Sequence, residues 1–251
     1  TGFDTRKTPQ HADKVVFLDS LPDAFDGVII GNEVLDAMAS EVMRWTETGI
    51  EQMGVSIVDE QFTWSQRPVS DERILTEALR IQPDKQPYTS ELHLNQTAFI
   101  ATLAQKLTRG AIIMIDYGFD EAQYYHPQRS MGTLIGHYRH HVVDDPFFWP
   151  GLMDLTCHVN FTAMAQAAVD NDLDLIGYTS QAHFLFNLGI TEVLLAEHPD
   201  VNSKEYLQAA SAMQKLVAPH EMGELFKVIA MGKGVDVDWQ GFANGDWCHK
   251  L

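Results

Sequence analysis

The sequence predicts an α/β fold with a doubly wound, mainly parallel sheet, and three observations carry that expectation. Gly27-Val28-Ile29-Ile30-Gly31 is apolar between turn residues, the pattern of a strand covered on both faces. Ala111-Ile112-Ile113-Met114-Ile115 repeats the pattern and follows an amphipathic stretch across a single glycine, Gly110. From Thr162 to Ala230 helical and strand spacings alternate again. With 251 residues, 45% of them apolar, the chain can bury a sizeable core, which excludes a disordered chain.

Taken in order, Lys14 to Leu18 is a β-branched and aromatic run that reads as a first strand, stopped by Asp19-Ser20-Leu21-Pro22. The strand Gly27 to Gly31 turns through Asn32-Glu33 into Val34, Leu35 and Met38, whose spacing predicts the start of a helix. From Glu41 to Trp64 the period falls towards two around the turn Thr48-Gly49, so antiparallel hairpins are expected. Asp71 to Arg80 is helical, and Gln82 to Thr89, with two prolines, reads as loop. The next helix is expected from Ser90-Glu91 through Leu92, Phe99, Leu103 and Leu107, with Lys106, Arg109 and Gly110 as its stop. The strand Ala111 to Ile115 closes on Asp116-Tyr117-Gly118. Residues 119–160 lack periodicity, the pattern of a loop-rich functional segment. A helix from about Thr162, a strand Leu173 to Tyr178, helices near Gln181 to Leu195 and Ser203 to Leu216, and a strand Leu225 to Ala230 complete the chain.

Seventeen Lys and Arg against 35 Asp and Glu leave a net charge of −18, which disfavours a general nucleic-acid binder or an anionic-membrane binder and favours a cationic partner. Two cysteines, Cys157 and Cys248, form no disulfide framework, so a reducing, cytosol-like compartment is expected. No apolar stretch approaches the length of a membrane span.

Ligands of doubly wound sheets bind outside the carboxyl ends of the strands. Asn32-Glu33-Val34-Leu35-Asp36 brings two carboxylates there, able to hold a cation, grip a guanidinium or accept a proton. Acids in a first helical turn that only complement the dipole are the plainer alternative. Asp116, at the end of the second strand, is a catalyst or a turn former. His137, His140, His141, Asp144 and Asp145, with His126 and His158 nearby, have ligand chemistry for zinc or iron, but Gly136 and Pro146 argue against a regular helical site, and no metal is assigned. No G-x-S-x-G, Walker A, H-E-x-x-H or G-x-G-x-x-G motif is present.

Ile30-Gly31-Asn32-Glu33-Val34-Leu35-Asp36-Ala37, Ile115-Asp116-Tyr117-Gly118-Phe119, Tyr124-Tyr125-His126-Pro127-Gln128-Arg129, Tyr138-Arg139-His140-His141 and Asp154-Leu155-Thr156-Cys157-His158 together closely resemble the MidA family of S-adenosylmethionine-dependent methyltransferases, which includes the mitochondrial protein-arginine methyltransferase of respiratory complex I assembly. The resemblance runs from about Val15 to Ile229. It implies a class I, Rossmann-like methyltransferase fold in one partial domain over 1–251, with a hairpin excursion at about 41–65 and a substrate-side segment at about 119–160. Val28 to Ile30 resembles strand four of that fold, Ala111 to Ile115 strand five, and the last two strands an antiparallel edge pair. The family's first strands and glycine-rich cofactor loop are expected upstream of Thr1.

For function, the resemblance implies S-adenosylmethionine as cofactor and an arginine-bearing protein as acceptor. Glu33 and Asp36 take the catalytic positions, and Asn32 and Glu33 the cofactor side. Asp116, Tyr117, Tyr138, His140, His141, Asp154 and His158 fall on the substrate side. A cytoplasmic location is expected in a bacterium and the mitochondrial matrix in a eukaryote, with self-association through an unpaired sheet edge. A partner-binding module without catalysis and a metal-dependent hydrolase are the rival readings.

Overall fold

The computed structural model describes residues 14–139 and 141–251. Its main sheet runs in the order β1(Phe25–Asn32), β6(Leu107–Phe119), β12(Phe226–Lys233), β11(Asp174–Ser180). β1 lies parallel to β6, whereas β12 is antiparallel to both neighbours, so the last two strands form the antiparallel pair the resemblance implies. A two-residue strand, β10(Val159–Asn160), joins the far end of β6 in parallel. The helices α2(Leu94–Lys106) and α4(Phe161–Val169) cover one face and enclose the largest core cluster, with Leu35, Ile100, Ile112, Met114, Phe161 and Tyr178 almost fully buried. The opposite face packs Val228 and Ala230 against Phe242 and Phe184.

The hairpin excursion is a second sheet, ordered β4(Gln61–Pro68), β3(Gly49–Val58), β2(Glu41–Thr46), β5(Tyr88–Leu92), and entirely antiparallel. The helix α1(Glu72–Ile81), capped by the Asp71 carboxylate, closes its core of Met43, Trp45, Ile74 and Tyr88. A third, small sheet of β7(Ile135–Tyr138), β8(His141–Val143) and β9(Asp154–Thr156) lies in the 119–160 segment after the short helix α3(Glu121–Tyr124). Beyond β11, the helices α5(Gln181–Asn187), α6(Ile190–Glu197), α7(Lys204–Val217) and α8(Met222–Leu225) lead back to β12.

Four local expectations are corrected. Lys14 to Leu18 forms no strand; Val16, Phe17 and Leu18 are exposed and no ladder receives them. Residues 34–38 form a turn rather than a helix, because the Leu35 and Asp36 carbonyls that a continuing helix would use accept instead from Gln96 and from Cys157 N. Ser90-Glu91 belongs to β5, paired with β2 through Met43↔Ser90, and the helix begins four residues later. Gly110 is no helix stop: it sits inside β6 at φ +137, where a Cβ would fall 1.8 Å from the Gly27 carbonyl oxygen, so glycine permits the close approach of β1. Residues 119–160 also carry more regular structure than a loop-rich reading implies, since their pairings are short and mutual.

Candidate functional site

The carboxyl ends of β1 and β6 make a polar corner. Glu33 adopts φ +50, uncommon for a residue with a side chain, and its N–H donates to the Ile115 carbonyl at 3.0 Å, which fixes the bend. Its carboxylate is exposed beside the Asn32 amide, which donates to it at 3.4 Å. Asp116 stands on β6 directly beneath. One of its oxygens accepts from three successive N–H groups, those of Val34, Leu35 and Asp36, at 3.0–3.3 Å, and the other from Tyr117 N at 3.0 Å. These bonds favour the carboxylate, but burial and the neighbouring Asp36 outweigh them and raise its pKa to about 7. Asp116 therefore shapes the turn from beneath and presents no oxygen to a substrate.

Asp36 is buried, and so does not share a face with Glu33. Its Oδ2 accepts from the Tyr117 hydroxyl at 2.5 Å, and its Oδ1 is buried without a partner. Burial and this bond hold the Tyr117 phenol far above its ordinary pKa, so it stays a neutral donor. The turn is strapped from outside by Gln96 of α2, whose amide donates to the Leu35 and Met38 carbonyls and to Ser40 Oγ. Cys157 N donates to the Asp36 carbonyl; the thiol, pushed up to about 12 by burial, is no nucleophile.

His158 continues the wall. Its ring stacks on Phe119 at 5.1 Å and meets Tyr117 edge-on at 5.0 Å. Burial first, then the positive charge of Arg129, lowers its pKa to about 4, so the imidazole is neutral at pH 7, with Nδ1 buried and unpartnered. Beyond it lies a cavity of about 1010 Å³ between the hairpin sheet and the 119–158 segment, lined among others by Arg44, Trp64, Glu91, Arg129 and Thr133.

Glu91, almost fully buried, organises that cavity. Its carboxylate accepts from Tyr124 OH at 2.7 Å, Thr133 N at 2.9 Å, Thr133 Oγ1 at 3.0 Å and Leu134 N at 2.9 Å. Gly132, at φ +77, passes so close that a Cβ would lie 2.3 Å from the carboxylate. Thr133 Oγ1 in turn accepts from His158 N at 3.1 Å, tying the clamp to the corner.

The predicted residues therefore divide. Asn32, Glu33, Asp36, Asp116, Tyr117 and His158 come together. Tyr138, His141 and Asp154 lie on the small β7–β9 sheet, where Tyr138 pairs with His141 and packs at a tilt against Trp149, and no described contact links them to the corner. His140 falls outside the described residues. Among the described residues, no three His, Cys, Asp or Glu side chains converge as metal ligands, and no helix is long and apolar enough to cross a membrane. No site role was assigned from the sequence to Glu91, Arg44, Arg129, Thr133 or Gln96, although Arg129 stands in a motif that carries the resemblance. The one available signal was an acid in the middle of the otherwise coherent run Tyr88 to Leu92.

Residues 4–179 match a family model described as "Putative S-adenosyl-L-methionine-dependent methyltransferase". The chain belongs to this family. A mitochondrial protein arginine methyltransferase NDUFAF7 from Danio rerio is 28% identical over 229 residues, 85% of this chain and 49% of the relative. The Caenorhabditis elegans NDUFAF7 homologue, also named a mitochondrial protein arginine methyltransferase, is 26% identical over 69% of this chain and 39% of its own length. The chain thus spans half or less of the length of the curated relatives it matches. A crystal structure from Burkholderia thailandensis, of a COG1565 superfamily member bound to S-adenosyl-homocysteine, is 46% identical with a TM-score of 0.92, over 98% of this chain and 64% of that one. A native structure of a COG1565 superfamily protein from the same organism gives the same identity and TM-score. Family and fold therefore agree with the Rossmann-like methyltransferase expectation.

Proposed function

We propose that this chain forms the acceptor side of an S-adenosylmethionine-dependent methyltransferase that methylates arginine in a protein substrate linked to respiratory complex I assembly. The observation that carries the reading is Glu33, an exposed carboxylate held in a strained backbone conformation at the carboxyl edge of the sheet. The names of the NDUFAF7 relatives support arginine, and the S-adenosyl-homocysteine of the bacterial structure supports the cofactor.

The cofactor supplies the methyl group; this chain's residues orient and deprotonate the acceptor. The exposed Asn32 amide and Glu33 carboxylate fit the polar, cationic donor on one side and a guanidinium on the other. Glu33 accepts a guanidinium N–H, aims the nitrogen along the line of displacement and stabilises the proton as it becomes acidic. Asp36, through the Tyr117 hydroxyl, fixes the ring wall against which the acceptor lies. The mitochondrial names of the eukaryotic relatives support a matrix location for a eukaryotic protein, and two free cysteines suit a reducing compartment in either host.

One observation favours the rival of a partner-binding module: Val28 and Ile30 of the edge strand β1 are exposed at 59% and 69%. Titration of the protein with S-adenosylmethionine by calorimetry, followed by methyl transfer to matched arginine-, lysine- and glutamine-bearing peptides, separates the two. Cofactor binding with arginine-only transfer supports the enzyme. No heat and no transfer support the module.

A further inference from the structure

The cavity beside His158 has an electrostatic character opposite to that of the chain around it. In a molecule of net charge −18, two guanidiniums, Arg44 and Arg129, line one wall system, and among the described residues neither lies within ion-pair distance of a carboxylate. Arg44 donates through Nη1 to the Gln66 amide oxygen at 2.8 Å, while its Nε is buried without a partner. Arg129 donates through Nη1 to the Gln123 and Tyr124 carbonyls and lies 4.0 Å over the Phe119 ring, so the rest of its fork is uncommitted. Glu51, the strand partner of Arg44, is reached only through the Gln66 amide, which donates to its carboxylate at 3.0 Å, and stops short of an ion pair. Both oxygens of Glu91 are occupied by backbone and hydroxyl donors, and Asp144 is exposed.

The cavity also opens onto an apolar surface. The cross-strand pairs Val55↔Trp64 and Ile57↔Phe62 place four exposed apolar side chains on one face of the β3–β4 hairpin. Phe147 packs on that face, 5.1 Å from Trp64 and 6.4 Å from Phe62, and Trp64 and Pro146 reach the cavity. At the other end, His158 meets Tyr117, which bonds Asp36. An apolar strip thus adjoins two guanidiniums in one cavity, and the His158 wall of that cavity is joined to the acid corner through the side chains of Tyr117 and Asp36.

We propose that this cavity recognises the acceptor protein by a carboxylate side chain, Asp or Glu, next to an apolar residue, bound by Arg44 and Arg129 while the residue to be methylated enters the corner at Glu33. The inference rests on the methyltransferase reading only for which molecule is the acceptor. An arginine cannot be drawn into a site lined by two guanidiniums, and a guanidinium fork is well matched to a carboxylate. The division of charge sets direction: the acceptor's acid goes to the arginines and its arginine to the acid.

The test measures binding of the protein to short arginine-bearing peptides in which a Leu-Glu pair is stepped along the sequence, against a matched Leu-Gln set, by fluorescence polarisation. At one register the Glu peptide binds about tenfold more tightly, the worth of a charge-assisted hydrogen bond. Arg44→Gln removes the preference, and Arg44→Glu turns it towards the corresponding Leu-Lys peptide, with circular dichroism confirming that both variants fold. Equal binding of Glu and Gln peptides at every register, a preference surviving both variants, or no peptide binding overturns the proposal. Methyl transfer is read separately. Arginine methylation without a Glu preference sinks the inference and leaves the enzyme; a Glu preference without methylation does the reverse.

Discussion

Two carboxylate-bearing regions flank the 156–160 segment, and they spend their acids in opposite ways. At the clamp, Glu91 is buried in a strand and saturated by donors from Tyr124, Thr133 and Leu134. At the corner, Glu33 is exposed, touched only by the Asn32 amide, and its backbone rather than its side chain is pinned. The difference teaches that a saturated carboxylate builds a site and an unsaturated one is left to work in it. The hydrogen-bonding capacity of Glu91 is taken up in holding residues 131–134 as a cavity wall, whereas that of Glu33 remains available to a ligand.

That contrast breaks if the two acids respond alike to removal. Glu91→Ala strands two backbone N–H groups and a tyrosine hydroxyl in the interior and is expected to cost about 4 kcal/mol in urea unfolding. A loss under about 1 kcal/mol would make the clamp ornamental. Glu33→Gln is expected to lower methyl transfer about 100-fold or more, with stability within about 0.5 kcal/mol of the parent. Retained turnover would take Glu33 out of the chemistry.

The buried histidines extend the comparison to pH. His93 and His158, lowered by burial to about 3 and about 4, stay neutral in the folded chain while unfolded imidazoles take protons near pH 6.5. Stability present at pH 7 is therefore lost as pH falls, about 2 kcal/mol per histidine by pH 5. Asp116 works the other way: with a folded pKa of about 7 against an ordinary 3.8, it adds stability on acidification and offsets about one histidine's share. Both ring nitrogens of His93 are buried without partners, so His93→Phe should shrink the loss between pH 7 and pH 5 by about 2 kcal/mol, seen as converging urea midpoints. An unchanged pH slope would show that His93 is protonated in the fold. The smallest effect sharpens the corner itself: Tyr117→Phe, which leaves Asp36 without its donor, is expected to cost about 1 kcal/mol and to lower kcat more than it raises KM.

What the sequence disclosed follows the range of the interactions. β1, the hairpins, α1 and β6 were legible because their apolar periods are written within each segment. β5 was not, because Ser90-Glu91 looks like a helix start until β2, far upstream, takes its N–H and carbonyl groups. The 34–38 turn has helical spacing, yet Gln96 and Cys157, from distant segments, take the carbonyls a continuing helix would need. The same rule divides the site. Glu33, Asp36, Asp116 and Tyr117 stood out because strand ends announce them, while Glu91, Arg44 and Arg129 gain their roles only when separate sheets enclose a cavity. Tyr138, His141 and Asp154 entered with the family resemblance, and three short strands hold them in a sheet of their own.

The two borders of the main sheet are unlike. At β11, Tyr178 N donates to Asp246 Oδ1 rather than to a neighbouring strand, and the Tyr178 carbonyl accepts from Trp247 N at 2.6 Å, so the tail seals that side. At β1 the outward backbone groups of the described chain have no strand beside them. The tail thus acts as a stop at β11, blocking strand addition on that flank whatever lies beside β1.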